Sequence, residues 1–208
     1  MKIIFLFVFF VTQTLVSNAQ VDPELLYKSF RQGERTNCAS IALIKASLEV
    51  YGLDSLFILG DKNADGISVI LKDGTSEKLS KTELELSRKS AGFVLMDSSK
   101  ESIQIYEYAI LTYAILAKHK MTIENYNKFE DALTELEYGA NASEVYKYLG
   151  FRKNKEVVKH KRFTGGNLCG LIAWSPAHAV YSCNGIMDYH GQKRNLWAKY
   201  SGRLQIIK

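Results

Sequence analysis

Residues 31–52 change character within a few positions, and that change constrains the fold more than any other stretch of the chain. Arg31-Gln32-Gly33-Glu34-Arg35-Thr36-Asn37 is polar and reads as a loop. From Cys38 onward Ile41, Ile44, Leu48 and Tyr51 recur at helical spacing, and Gly52 stops the pattern. The expectation is a helix that opens at Cys38 and buries a stripe. A cysteine in a first helical turn meets unpaired backbone N–H groups and the positive end of the helix dipole, both of which favour the thiolate. A thiol of lowered pKa is therefore expected at Cys38.

Three cysteines, Cys38, Cys169 and Cys183, stand in a chain that opens with an export pattern. Lys2 is followed by the apolar run Ile3 to Val11 and by Ser17-Asn18-Ala19, small residues at the positions a signal peptidase reads. Residues 1–19 are expected to be a signal peptide and 20–208 one domain, secreted or periplasmic. The run turns polar at Thr12, too early to span a bilayer, so no stable membrane insertion is expected after cleavage. In an oxidising compartment an odd count leaves one thiol over. Leu168 to Trp174 and His178 to Cys183 read as a strand pair whose register sets Cys169 opposite Cys183, where they either bridge or lie as two buried thiols. Either way Cys38 is unpaired.

Six residues before Cys38 stands Gln32, followed by Gly33. Acyl transfer through a thiolate builds negative charge on a carbonyl oxygen, and a neutral amide beside the Cys38 N–H can receive it. With these residues the sequence resembles the papain-like cysteine peptidases, papain and calpain branches alike, which carry Gln-Gly at this offset before a cysteine that opens the central helix. Two positions differ. Ala39 stands where the family usually has an aromatic residue, and Arg35 where it has a second cysteine.

Of the histidines His119, His160, His178 and His190, His178 begins an alternating strand, His178-Ala179-Val180-Tyr181-Ser182-Cys183, that resembles the family's His-Ala-Val strand. The resemblance implies a general base and acid there. His119 and His160, each between two lysines, read as solvated surface. The residue that orients His178 depends on the hairpin after it. If Asn184-Gly185 is a two-residue turn, Asp188 points to the opposite face from His178; a three-residue bulged turn brings Asp188 onto the same face and makes a Cys-His-Asp triad. Asn195-Leu196-Trp197 resembles the family's Asn-x-Trp and offers the other candidate. Asp188 is preferred, because a short hairpin carries Asn195 too far past His178.

Other signals are weaker. Asp61-Lys62-Asn63-Ala64-Asp65-Gly66 copies the start of a calcium loop but has Lys72 where the closing Glu is needed, so it reads as a polar turn before the hairpin Ile67 to Leu79. Asn141-Ala142-Ser143 matches a glycosylation acceptor. Ile103 to Ala117, Phe129 to Leu136 and Val145 to Leu149 read as helices, and Val157 to Phe163, Leu168 to Trp174, His178 to Cys183, Ile186 to Tyr189 and Arg203 to Ile207 as strands. Helices first and an antiparallel sheet afterwards give an α+β class, and this is the order of the papain-like fold.

The net charge of +5 is spread without a run of like charges, which argues against a nucleic-acid partner. The resemblance thus implies a cysteine-type peptidase or amidase with Cys38 as nucleophile, His178 as base, Gln32 as oxyanion donor and Asp188 as orienting group. Its partner would be a peptide or protein substrate, cell-wall peptide included, with no metal and no cofactor. The alternatives are transglutaminase-type acyl transfer and a catalytically silent binding domain.

Overall fold

The computed structural model describes residues 20–63, 65–159 and 168–208. The leader, His160 and the end of the expected strand Val157 to Phe163 lie outside the described residues. No helix among them is long and apolar enough to cross a membrane.

The chain is α+β. In order it forms α1 (Pro23–Ser29), β1 (Phe30–Gln32), α2 (Cys38–Tyr51), β2 (Ile58–Asn63), β3 (Gly66–Ile70), β4 (Ser76–Ser80), α3 (Lys81–Ala91) and β5 (Phe93–Leu95). There follow α4 (Lys100–Glu124), α5 (Phe129–Glu137), a 3-10 helix (Val145–Leu149) and the strands β6 (Lys155–Val157), β7 (Leu171–Trp174), β8 (Ala179–Cys183), β9 (Ile186–Tyr189), β10 (Gln192–Asn195) and β11 (Gly202–Ile206). The last six strands make one antiparallel sheet in the order β10-β9-β8-β7-β11-β6.

Helix α2 is the centre of the molecule. Every residue from Ala39 to Tyr51 is buried, so the helix is covered on all sides rather than on one stripe. One side lies on β7, β8 and β11, and another meets α4. It begins where Asn37 gives its amide to the Ala91 carbonyl at 2.7 Å, tying the helix start to the end of α3. It ends where Gly52, at φ 73°, donates its N–H back to the Leu48 carbonyl.

The two faces of the sheet have different neighbours. Ala179, Tyr181 and Cys183 of β8 belong to the main core with α2, while Val180, Met187, Leu171, Ala173 and Tyr200 form a second apolar cluster on the far side. This alternation is what the strand pattern of residues 178–183 predicts.

Several expectations need correction. The β7–β8 pairing is one residue out from the register that sets Cys169 opposite Cys183: Leu171 faces Ser182. Cys169 and Cys183 are nevertheless joined in a disulfide. Gly170 breaks the strand just before β7 in a left-handed conformation, φ 66°, where a Cβ would meet Val50 at 2.5 Å, and the chain on its far side turns toward Cys183. Helix α4 runs beyond the expected span at both ends, β6 ends at Val157 where a strand was expected to begin, and α1, α3, β1, β2, β5 and β10 were not anticipated. The pseudo-calcium stretch Asp61 to Asn63 lies in the exposed strand β2.

Candidate active site

Helix α2 and strand β8 bring Cys38 and His178 together. The Cys38 Sγ accepts the backbone N–H of Ala179 at 3.4 Å, so the sulfur rests at the foot of the strand that His178 precedes. Both residues are partly buried. Gln32 at the end of β1, Cys38, His178, Asp188 and His190 line one small cavity of about 20 Å³. From it a groove of about 480 Å³ opens between the loop Tyr138 to Ala142 and the turn Trp174 to Ala177, with Cys38 and His178 on its lining. The Thr36 hydroxyl donates to the Glu137 carbonyl at 2.6 Å and Arg35 pairs with Glu137 at 3.2 Å, which anchors the first of these walls beside Cys38. The groove lining carries no Asp, Glu, Lys or Arg, and Tyr138 stands 79% exposed at its edge.

The electrostatics differ from the expectation for a helix N-terminus. Burial pushes the Cys38 thiol up, and the N–H groups of Ala179, Ala39 and Cys38 itself, which pull the other way, do not outweigh it. Burial also pushes the His178 imidazole down to about 4, helped by His190 and Lys199 and opposed by the Asp188 carboxylate. Near neutral pH the resting pair is a thiol beside a neutral imidazole. That is the protonation state a general base needs, with the proton still to be moved.

The remaining residues fall differently. Gln32 donates its side-chain amide to the Arg35 carbonyl, so it sits at the cavity with its donor engaged locally. Asp188 requires a correction. The turn Asn184-Gly185 has two residues, with Ser182 opposite Met187 and Cys183 opposite Ile186, not the three-residue bulge that would set Asp188 on the face of His178. Asp188 therefore faces α2, where its Oδ2 accepts from Lys45 Nζ at 2.5 Å and its Oδ1 from the Gly191 N–H at 2.7 Å. Among the described residues it has no hydrogen bond from His178. Asn195 is exposed at the sheet edge opposite Ile186, level with Cys183 and at the far end of β8 from His178.

What packs against the His178 ring is His190, stacked at 4.9 Å between centroids and 17° between planes. Tyr189 meets it edge-on at 5.9 Å. His190 was not singled out from sequence. The available signal was the His190-Gly191 dipeptide, a left-handed turn (φ 53° and 84°) that folds β10 back on β9 beside the start of β8. Lys45, in the middle of an apolar helix, was also passed over.

His119 is corrected outright. It is 3% exposed inside α4, its Nδ1 has no partner among the described residues, and burial lowers its pKa. A separate cavity of about 280 Å³ lies between the β2–β3 hairpin and helices α3 and α4, and it holds no histidine or cysteine. The described residues contain one cluster with three potential metal ligands, Glu49, Cys169 and Cys183, and the disulfide leaves neither sulfur free to act as a thiolate. Comparison with family models, with curated proteins and with solved structures finds no match.

Proposed function

We propose that this chain is an exported, papain-like cysteine peptidase or amidase that opens amide bonds through an acyl-enzyme on Cys38. The observation that carries the reading is the bond from the Ala179 N–H to Cys38 Sγ, which puts the free thiol beside the histidine's strand at the floor of an open groove. A buried helix with a cysteine at its start, packed on a later antiparallel sheet that bears the histidine, also supports the papain-like assignment.

In this mechanism His178 takes the thiol proton as Cys38 Sγ attacks the carbonyl carbon, and the carbonyl π electrons move onto oxygen. That oxygen is held by the Cys38 N–H and by Gln32, whose amide turns away from the Arg35 carbonyl to donate. Collapse breaks the C–N bond, and His178 returns its proton to the leaving amine. Water, deprotonated by the same imidazole, then attacks the thioester and frees Cys38. The low pKa of His178 keeps the imidazole free to accept a proton down to about pH 4, weakens it as a base, and makes its protonated form a strong acid toward the amine.

The groove selects against charge. Its walls combine Gly139, Ala140, Ala142, Pro176 and Ala177 with the rings of Tyr138 and Trp174 and the neutral polar side chains of Thr36, Asn141 and Ser175, and no acid or lysine is among them to pair with a charged side chain. Peptides with small, uncharged residues around the scissile bond are the matching substrates.

The test is incubation with a defined peptide library and mass-spectrometric detection of new termini. New termini from the wild-type protein that Cys38→Ala does not produce are expected. Identical peptide pools from the two proteins would overturn the hydrolase reading, and Cys38-dependent joining of peptides would replace it with acyl transfer.

A further inference from the structure

Lys45 sits on α2 two turns after Cys38, with its side chain wholly shielded from solvent. Its ammonium donates to the Phe30 carbonyl at 2.6 Å and to Asp188 Oδ2 at 2.5 Å, and it lies over the Phe30 ring at 4.6 Å. Moving an ammonium and a carboxylate out of water is costly, and a buried pair can often be exchanged for apolar groups without loss of stability. Stability alone is therefore a weak account of this one.

Lys45 and the two groups its ammonium joins belong to three elements, and each element bears or adjoins one part of the candidate site. Lys45 itself rides on the helix that begins with Cys38. Phe30 is on β1, two residues before Gln32. Asp188 is on β9, and its second oxygen accepts the Gly191 N–H, closing the left-handed turn from which the His190 ring stacks on His178. A fixed link between these elements sets the offset between sulfur and imidazole, and misplacement by about 1 Å can cost a site about 100-fold.

We propose that Lys45 is a positioning residue of this site: through Asp188 it locks the 190–191 turn that seats His178 against Cys38, and through the Phe30 carbonyl it holds the strand that presents Gln32. The proposal rests on the reading of Cys38 as nucleophile and His178 as its base. A purely structural pair and a positioning pair part company once stability is restored by other means.

The experiment follows the rate of Cys38 alkylation by iodoacetamide against pH, beside the thermal midpoint, in the full mature chain. The variants are His178→Ala, His190→Ala and the double variant Lys45→Met/Asp188→Leu. The double variant leaves no unpaired buried charge and is expected to keep a midpoint close to wild type. Its Cys38 should nevertheless react about tenfold more slowly at pH 7, with a pH profile that has moved to that of His178→Ala. His190 is exposed, so His190→Ala keeps the fold without touching the pair and should slow alkylation severalfold.

A folded double variant with the wild-type rate and profile overturns the proposal and leaves Lys45 a structural residue. If the double variant does not fold, His190→Ala decides: an unchanged rate overturns the proposal. If His178→Ala itself leaves the wild-type profile unchanged, the site reading fails, and the proposal fails with it.

Discussion

The two ends of helix α2 bury ionisable groups against the same sheet, yet they differ in their access to solvent. At the N-terminal end Cys38 and His178 line a cavity that opens into a groove. At the C-terminal end Glu49, 5% exposed, accepts the Gly170 N–H beside the Cys169–Cys183 disulfide, and burial pushes its carboxyl up to about 7. Tyr27 and Tyr181 close that region, their rings 5.4 Å apart. Displaced pKa values alone do not separate the two ends. Access does: a perturbed group acts on a substrate only where a nucleophile, a base and a path from solvent meet.

Mutations at the two ends should therefore fail in different ways. Cys38→Ala is expected to lower turnover of a cleaved peptide by about 10,000-fold with little change in unfolding midpoint. Gln32→Ala should lower kcat by about 100-fold, as loss of one oxyanion donor does. At the closed end the double variant Cys169→Ser/Cys183→Ser removes a bridge between residues 14 apart in sequence, and urea unfolding should show a loss of about 3 kcal/mol. Its turnover, measured where the protein is still folded, should stay within about threefold of wild type. A loss as large as that of Gln32→Ala would break the contrast between the ends.

The smallest effect sharpens the contrast through pH. The folded protein holds the Glu49 proton up to about pH 7, whereas an unfolded Glu releases it near its ordinary value of 4.5. The native state therefore binds more protons in that window, and stability falls as pH rises through it. Glu49→Gln keeps an acceptor for the Gly170 N–H and should raise the midpoint by about 3 °C at pH 8 while leaving it nearly unchanged at pH 4. For His178 the sign is opposite. Its folded pKa of about 4 lies below the ordinary 6.5, so the imidazolium is disfavoured in the native state and stability falls as pH drops through that interval. If His178 is the base, the acid limb of kcat/KM is expected near pH 4, read from a pH–rate profile.

Helix α2 was legible because a polar loop gives way at once to apolar residues closed by a glycine, and β7 to β9 because alternation is punctuated by Ser175-Pro176 and Asn184-Gly185. Helix α3 was not, since only Ser87, Ser90 and Ala91 of it are buried and it carries no apolar stripe. Its one sequence signal was the capping box of Ser80 and Glu83. Strands β1 and β5 have three residues each, too few to show a period, and β2 is exposed throughout.

Around the candidate site, the start of α2 at Cys38 was readable from local pattern, whereas Gln32 and His178 were singled out by their resemblance to the papain-like blocks. The partner of Asp188 was not, because it is chosen by a lysine 143 residues away across the core. His119 misled for a related reason: its neighbour Lys120 is also buried, paired with Glu124 and Tyr148, so lysines on both sides did not signify solvent. The thiol pKa was misread because the dipole argument carried no measure of burial, which sets the direction for Cys38.

The central claim is that His178 serves as the base for Cys38, and the most direct measurement is the iodoacetamide alkylation rate of Cys38 at pH 6 in wild type and His178→Ala. With a thiol raised by burial and an imidazole neutral down to about pH 4, the reaction at pH 6 depends on the histidine. The wild-type rate is expected to exceed that of His178→Ala by at least about tenfold. Equal rates in the two proteins would mean that the sulfur and the imidazole are neighbours without being partners, and would contradict the account.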